Sequence, residues 1–429
     1  MQKIKGKIYH LLRWSEKYFK TDMVYLAKGG SWLTLGQIVS SASSFLLAIA
    51  FANLLPKETY GIYKYVLSIM GILAIPTLSG MSTAITQAVA RGYEGSFSPV
   101  LKTKIRWGLL GGLASLVLAG YYYFNDNTTL TISFLITAVF LPFMDSFGTY
   151  NALLQGRKLF GISARCSMLS QIIAVSAMIA AIFFTKNLFL ILLAYFASWT
   201  ILRFIFLKIT LKNFPPNLNQ DPQTLSYGKH LSLIGILGTI AAYLDRILIF
   251  HYLGATEVAI YSFAIAIPEQ LKGSFKNIPA LALPKLAQRS FKEINSVLCQ
   301  RLLKLFIIGG LIAGIYILVA PYIFKIFFPK YLDSIFFSQI FAFTIAIRMP
   351  FALFSTAGQA KLTQIPKKML YWTNVLPQLI LVGSLFLLTK LYGIPGVIVA
   401  KYIFLISTFI IGFIFWKKLL KIYGKNNLS

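Results

Sequence analysis

Nine charged residues stand inside otherwise apolar stretches of this chain. Six are cations, Lys64, Arg246, Lys272, Lys276, Arg348 and Lys401, and three are acids, Asp145, Asp245 and Glu269. A charge held at the centre of a bilayer costs on the order of 3 kcal/mol, so each must find water, a partner or a ligand. Cations outnumber acids, and Lys and Arg hold phosphate groups through charge and hydrogen bonds. An anion-binding interior is therefore the first chemistry to expect, with Lys272, Arg348, Lys276 and Arg246 as its candidate binding residues. Lys272 and Arg348 lie deepest in their stretches. Lys64 and Lys401 stand close enough to a span end to reach an interface by extending. The acids Asp145, Glu269 and Asp245 are candidates for ion coupling or for counter-ions, since a carboxylate out of water exchanges a proton or a cation with its surroundings. Asp245 has Arg246 beside it. Glu269, Lys272 and Lys276 are spaced i, i+3, i+7 and share one helix face, so an intrahelical salt bridge is the plainer reading there.

The elements that must carry these charges are membrane spans. The chain has 429 residues, 57% hydrophobic and 12% charged, with a mean hydropathy of +0.72. Apolar runs long enough to cross a bilayer fall at roughly 30–54, 60–83, 105–124, 130–154, 162–184, 188–208, 231–253, 258–283, 302–324, 334–357, 368–389 and 394–416. The expected fold class is thus all-α integral membrane, with about 12 transmembrane helices in two six-helix lobes. Thirty Lys and Arg fall in the N-terminal segment, the loops after even-numbered spans and the C-terminal segment. Five fall in the opposite loops. Basic residues are retained on the cytoplasmic side, which places both termini in the cytoplasm. Trp32, Trp107, Trp199, Trp372 and Trp416 cluster near the same interface, where an amphipathic ring is favoured. The net charge of +29 then reflects topology, and no nucleic-acid partner is expected.

The organisation expected along the chain runs as follows. Residues 1–28 form a basic segment, read either as an amphipathic interfacial helix or as a frayed tail; no cleavable signal peptide is visible in it. Residues 29–208 form the N-lobe, 209–229 a polar, Pro-rich cytoplasmic linker, 230–416 the C-lobe and 417–429 a basic cytoplasmic tail. The lobes echo each other. Leu55-Pro-Lys-Glu-Thr-Tyr-Gly-Ile-Tyr63 returns as Leu253-Gly-Ala-Thr-Glu-Val-Ala-Ile-Tyr261, an offset of 198 residues. At the same offset Ala84–Arg91 meets Ala282–Arg289, and Gln155-Gly-Arg157 weakly resembles Gln359-Ala-Lys361. Both copies start with an outward-running span, so the lobes are parallel repeats related by a pseudo-two-fold axis along the membrane normal. Repeats of this kind are built for alternating access, which makes transport the leading function class. Pro76, Pro142, Pro268, Pro350 and Pro377 break helices in mid-span.

No phosphate-binding Gly-x-x-x-x-Gly-Lys-Ser/Thr loop, His cluster or nucleophile elbow occurs, so no catalytic residue, metal site or cofactor is expected. Cys166 and Cys299 read as two reduced thiols. No outer loop is long enough to fold as a domain for sugar chemistry.

The turn Leu54-Leu-Pro-Lys-Glu-Thr-Tyr-Gly-Ile-Tyr63 resembles the signature of Wzx-type polysaccharide flippases, members of the multidrug/oligosaccharidyl-lipid/polysaccharide exporter superfamily. Asp245-Arg-Ile-Leu-Ile-Phe-His-Tyr-Leu-Gly254, followed by Ala259-Ile-Tyr261, resembles the family's seventh-span motif. Gly254 in place of Pro56, and Ala259 in place of Gly61, weaken the second turn's match. The resemblance covers about residues 28–416. It implies two lobes set as a V around a central cavity, and a bacterial inner-membrane flippase driven by ion gradients. The cargo implied is an undecaprenyl-pyrophosphate-linked oligosaccharide repeat unit for O-antigen, capsule or exopolysaccharide. Membrane lipids and polysaccharide polymerase or assembly proteins are the implied partners. The alternatives are a multidrug or metabolite antiporter of the same superfamily, whose often cationic substrates fit a positive interior poorly, and a membrane enzyme of glycan assembly.

Overall fold

The computed structural model of the chain describes residues 23–274, 286, 291–360 and 367–423. Lys276, residues 1–22 of the expected interfacial segment, the end of the tail from 424, and most of the repeat anchors 282–289 and 359–361 lie outside the described residues. So does the side chain of Lys272, whose backbone is helical. Among the described residues there is no strand.

The helices are α1 (Met23–Leu54), α2 (Lys57–Leu73), α3 (Gly80–Ala90), α4 (Phe97–Phe124), α5 (Thr128–Phe147), α6 (Tyr150–Gly156), α7 (Phe160–Phe184) and α8 (Leu188–Asn213), followed by α9 (Gln223–Leu253), α10 (Ala255–Ser274), α11 (Phe291–Phe327), α12 (Ser334–Ala342), α13 (Thr344–Ala360) and α14 (Lys367–Tyr423). Nine helices among the described residues are long and apolar enough to cross a membrane, or ten if a pair bent by 46°, Lys57–Leu73 with Ile75–Ala90, is one span. The protein is an all-α, multi-pass membrane protein. The expected eleventh and twelfth spans both lie in α14, where Gly393 (φ 61°, ψ −135°) interrupts the helical backbone. The expected eighth begins in α10. Its helices turn large aliphatic side chains outward, Val117 at 72% exposure and Leu318 at 74%, as lipid-facing surfaces do.

Three expected spans are broken inside. The second gives way to a 3-10 turn at Ile75–Thr77, where Pro76 removes a donor and Leu78 adopts a left-handed φ of 56°. The fourth divides between α5 and α6, and the tenth between α12 and α13.

Packing divides the chain into two compact units, residues 1–54 with 70–236 and residues 55–69 with 237–429. In unit 1, α4 and α5 approach closely. A Cβ on Gly108 would sit 3.0 Å from the Pro142 carbonyl oxygen, and Ser115 Oγ donates to the Phe134 carbonyl at 2.8 Å. Its core joins Ile85, Val89, Phe97, Tyr150 and Leu153. The connection expected over 209–229 is shorter, because α8 extends to Asn213 and α9 starts at Gln223. It is tied down within unit 1. Arg157 makes a two-pronged contact with Glu94 and donates to the Pro215 carbonyl at 2.8 Å. Asn217 Nδ2 donates to the Gly92 carbonyl at 2.8 Å, and Arg91 Nη2 lies 2.5 Å from Asp221 Oδ2.

In unit 2, a core of Ile294, Leu298, Leu353, Phe354 and Trp416 joins α11, α13 and α14. The two repeated turns also meet here. A Cβ on Gly61 would fall 1.8 Å from the Ala255 carbonyl oxygen, so only glycine permits this approach. Gly254 takes φ +94° and its N–H reaches the Ile249 and Phe250 carbonyls at 3.2 and 3.0 Å. Proline is locked near −65° and could not end α9 this way, which explains why the second copy departs from Pro56.

Candidate functional site

In unit 2 five helices bring charge together. Asp245 and Arg246 are neighbours on α9, so their side chains leave the helix about 100° apart and meet different partners. Asp245 is completely buried. Lys401 on α14 places its Nζ 2.6 Å from Asp245 Oδ2, and the Tyr261 hydroxyl on α10 donates to the same oxygen at 2.7 Å. The Arg246 backbone N–H donates to Asp245 Oδ1 at 2.7 Å, but the Arg246 guanidinium comes no nearer than 3.9 Å, through Nη1. Asp245 is therefore chiefly the counter-ion of Lys401 rather than of its chain neighbour. Lys401 does not extend to an interface. Its ammonium sits between the rings of Tyr261 and Phe341, 5.8 and 5.9 Å from their centroids.

Arg246 and Arg348 are held more loosely. Arg348 Nη2 is 3.8 Å from Glu269 Oε1, a long contact from a different helix. Arg246 lies in the fields of Asp245, Tyr261, Tyr60 and Glu269. The Nε atoms of both arginines are shut off from solvent with no hydrogen-bond partner among the described residues. Their side chains nevertheless keep 22% and 20% of their surface open. Lys64 shares this region, its ammonium 5.3 Å from the Tyr60 ring centroid, and it repels Arg246. Among the described side chains of unit 2 that the sequence places inside spans, cations outnumber acids: Lys64, Arg246, Arg348 and Lys401 against Asp245 and Glu269. A guanidinium carries five donors in a fixed fork, a geometry that matches carboxylate and phosphate oxygens.

Asp145 belongs to unit 1, apart from that cluster. Its Oδ2 is 2.9 Å from Lys104 Nζ and accepts the Thr77 hydroxyl at 3.0 Å. Lys104 is 1% exposed and was missed in the sequence, where it stands at the edge of a basic loop. It lies inside a helix because α4 begins at Phe97. Arg203 was likewise counted with a loop. It donates to the Met144 carbonyl at 2.8 Å and lies 4.9 Å from the Trp199 ring centroid.

Unit 1 also holds a cavity of about 360 Å³ between α1, α6, α7 and α8, lined largely by Ser, Asn and Gln side chains with Tyr150 and Trp199. Ser163 Oγ donates to Asn151 Oδ1 at 2.9 Å within it.

The chain is similar to known transporters over most of its length. It is 21% identical over 403 residues to a Shigella flexneri protein named "Putative O-antigen transporter", covering 86% of this chain and 93% of that one. Its fold matches the lipid II flippase MurJ in an inward closed conformation, with a TM-score of 0.65 at 14% identity, covering 91% of this chain and 87% of that one. It also matches an inward-facing multidrug resistance MATE family transporter of the MOP superfamily, with a TM-score of 0.60 at 15% identity, covering 90% and 96%. These relatives are transporters and flippases, not enzymes, and they bear out the resemblance drawn from the turn motifs. The family model described as "Polysaccharide biosynthesis protein" matches residues 26–283, more than half of the chain, and the protein belongs to that family.

Proposed function

We propose that this protein is a flippase that carries undecaprenyl-pyrophosphate-linked oligosaccharide repeat units across the bacterial inner membrane by alternating access, with both termini in the cytoplasm. The observation that carries this reading is the pair of guanidinium groups, Arg246 and Arg348, whose Nε donors have no partner among the described residues and whose side chains keep part of their surface open. They suit a pyrophosphate, which offers several anionic oxygens to forked donors. Lys272, one helix turn from Glu269 on α10, and Lys276 add positive charge on the same stretch of sequence. Asp245 and Asp145 serve as counter-ions of Lys401 and Lys104, and Glu269 as that of Arg348. Family membership supports a role in polysaccharide assembly, and the Shigella relative's name supports an O-antigen-type cargo.

The test is complementation of a deletion strain that lacks surface polysaccharide. Arg348→Ala and Lys272→Ala should lose export while the protein stays in the membrane at normal abundance. Full export by an Arg246→Ala/Arg348→Ala double variant overturns the anion-binding role.

The likeness to a multidrug resistance transporter keeps one alternative alive, an antiporter. Altered drug resistance in the deletion strain with intact surface polysaccharide would favour it. The surplus of cations in unit 2 opposes it, since cationic drugs are repelled there.

A further inference from the structure

The cationic cluster of unit 2 suits a phosphate but offers little to the hydroxyl-rich part of a glycan. The 360 Å³ cavity of unit 1 has the opposite character, and its size falls in the range of small-molecule sites. Gln37, Asn151, Gln155 and Gln171 reach it from α1, α6 and α7, flanked by serines. Each amide presents two donors and an acceptor with two lone pairs, the mixture a ring of hydroxyls needs. Trp199 and Tyr150 supply aromatic surface for the apolar face of a sugar ring. The lining carries one charge, Arg203, and that charge is engaged by the Met144 carbonyl and the Trp199 ring. Uncharged polar groups are costly within a membrane span, and this many converging from separate helices calls for a polar occupant. Every lining residue also lies in the half of its span that the distribution of Lys and Arg assigns to the cytoplasm. That is the side where a lipid-linked sugar would be loaded.

We propose that this cavity is a sugar subsite, which takes an uncharged hexose or N-acetylhexosamine unit of the cargo while the phosphates are held elsewhere. The proposal rests on the flippase reading for its choice of ligand, and its test separates the two. The full chain in lipid nanodiscs is examined by saturation-transfer NMR with free glucose, galactose, rhamnose and N-acetylglucosamine. Transfer to at least one sugar is expected, with its Kd weakened roughly tenfold in Gln37→Leu/Gln155→Leu, the loss of two net hydrogen bonds, and unchanged in Arg348→Ala. Should the double variant fail to fold, the single Gln155→Leu change, at an exposed helix position, replaces it with a smaller weakening. Transfer to none of the four sugars, or unchanged affinity in the folded variant, overturns the subsite. Inorganic pyrophosphate added to the same preparation reads the unit 2 cluster. Pyrophosphate bound without any sugar rejects the sugar subsite alone. Sugar bound without pyrophosphate supports it and counts against the anion-binding role of the unit 2 cluster.

Discussion

Lys401 Nζ lies 2.6 Å from Asp245 Oδ2 across two helices distant in sequence, in a place where the carboxylate has no exposed surface at all. A buried pair is costly to break from one side, because the remaining charge is left without compensation. Lys401→Met alone or Asp245→Asn alone should therefore lower stability by on the order of 3 kcal/mol. The double variant should recover part of that loss. Thermal unfolding of the purified protein reads both, and a double variant less stable than either single would show that the two residues do not act as a pair.

Lys104 and Asp145 form the corresponding pair in unit 1, at 2.9 Å. A double-mutant cycle with Lys104→Met and Asp145→Asn should give a coupling of roughly 1–3 kcal/mol. Additive effects would mean that Asp145 draws its compensation from elsewhere, with Arg203 the first alternative.

Gly61 is fixed by contact rather than by backbone angle. A methyl group there would overlap the Ala255 carbonyl, so Gly61→Ala should destabilise by about 1–3 kcal/mol. Ala259→Gly, at the matching position of the second repeat, meets no such constraint and should cost less than Gly61→Ala. A larger drop in the unfolding midpoint for the first than for the second checks this.

The connection over 214–222 gives a reading of topology. Leu218 is 93% exposed there, and exposed loop tips are preferred cleavage sites. Chymotrypsin should cut after Leu218 in inverted membrane vesicles and not in intact spheroplasts, if the connection is cytoplasmic. Arg157→Ala, which removes the contacts to Glu94 and Pro215, should speed the cut roughly fivefold, in line with charged hydrogen bonds. Cleavage from outside would reverse the assigned orientation.

Asp221 ends that connection. The backbone N–H of Gln223, and then Arg91, hold its carboxyl below the usual carboxylate range. A group whose folded pKa is depressed adds stability above its unfolded pKa and loses it as pH falls through the folded value. The difference in melting temperature between the wild type and Asp221→Asn should be flat from about pH 8 to 5 and shrink below about pH 4. A difference that vanishes already near pH 6 would point to another group.

The apolar runs made the all-helical membrane fold readable, because hydropathy reports the solvent directly. Breaks at Pro76 and Gly393 were half visible. Proline announces a lost donor, whereas the turn at Gly393 depends on a backbone angle that no spacing encodes. The interior charges were also visible, but their partners were not. Arg246 was the obvious mate for Asp245 by adjacency, yet a neighbour on a helix points the wrong way, and Lys401 arrives from the last helix instead. Lys104 escaped notice because basic residues at a span edge look the same whether they face water or turn into the helix packing. The cavity around Gln155 and Trp199 was illegible for a similar reason. Its serines and amides are scattered through three helices and become a group only when those helices assemble.

Asp245 has one further effect on the cycle. By keeping Lys401 occupied, it leaves fewer strong hands to grip an incoming anion. A carrier must hold cargo firmly enough to capture it and weakly enough to let go. In the flippase proposed above, Lys401 freed from its carboxylate would lengthen the dwell time of a pyrophosphate and slow turnover, so that an acid without contact to the load would set how readily it departs.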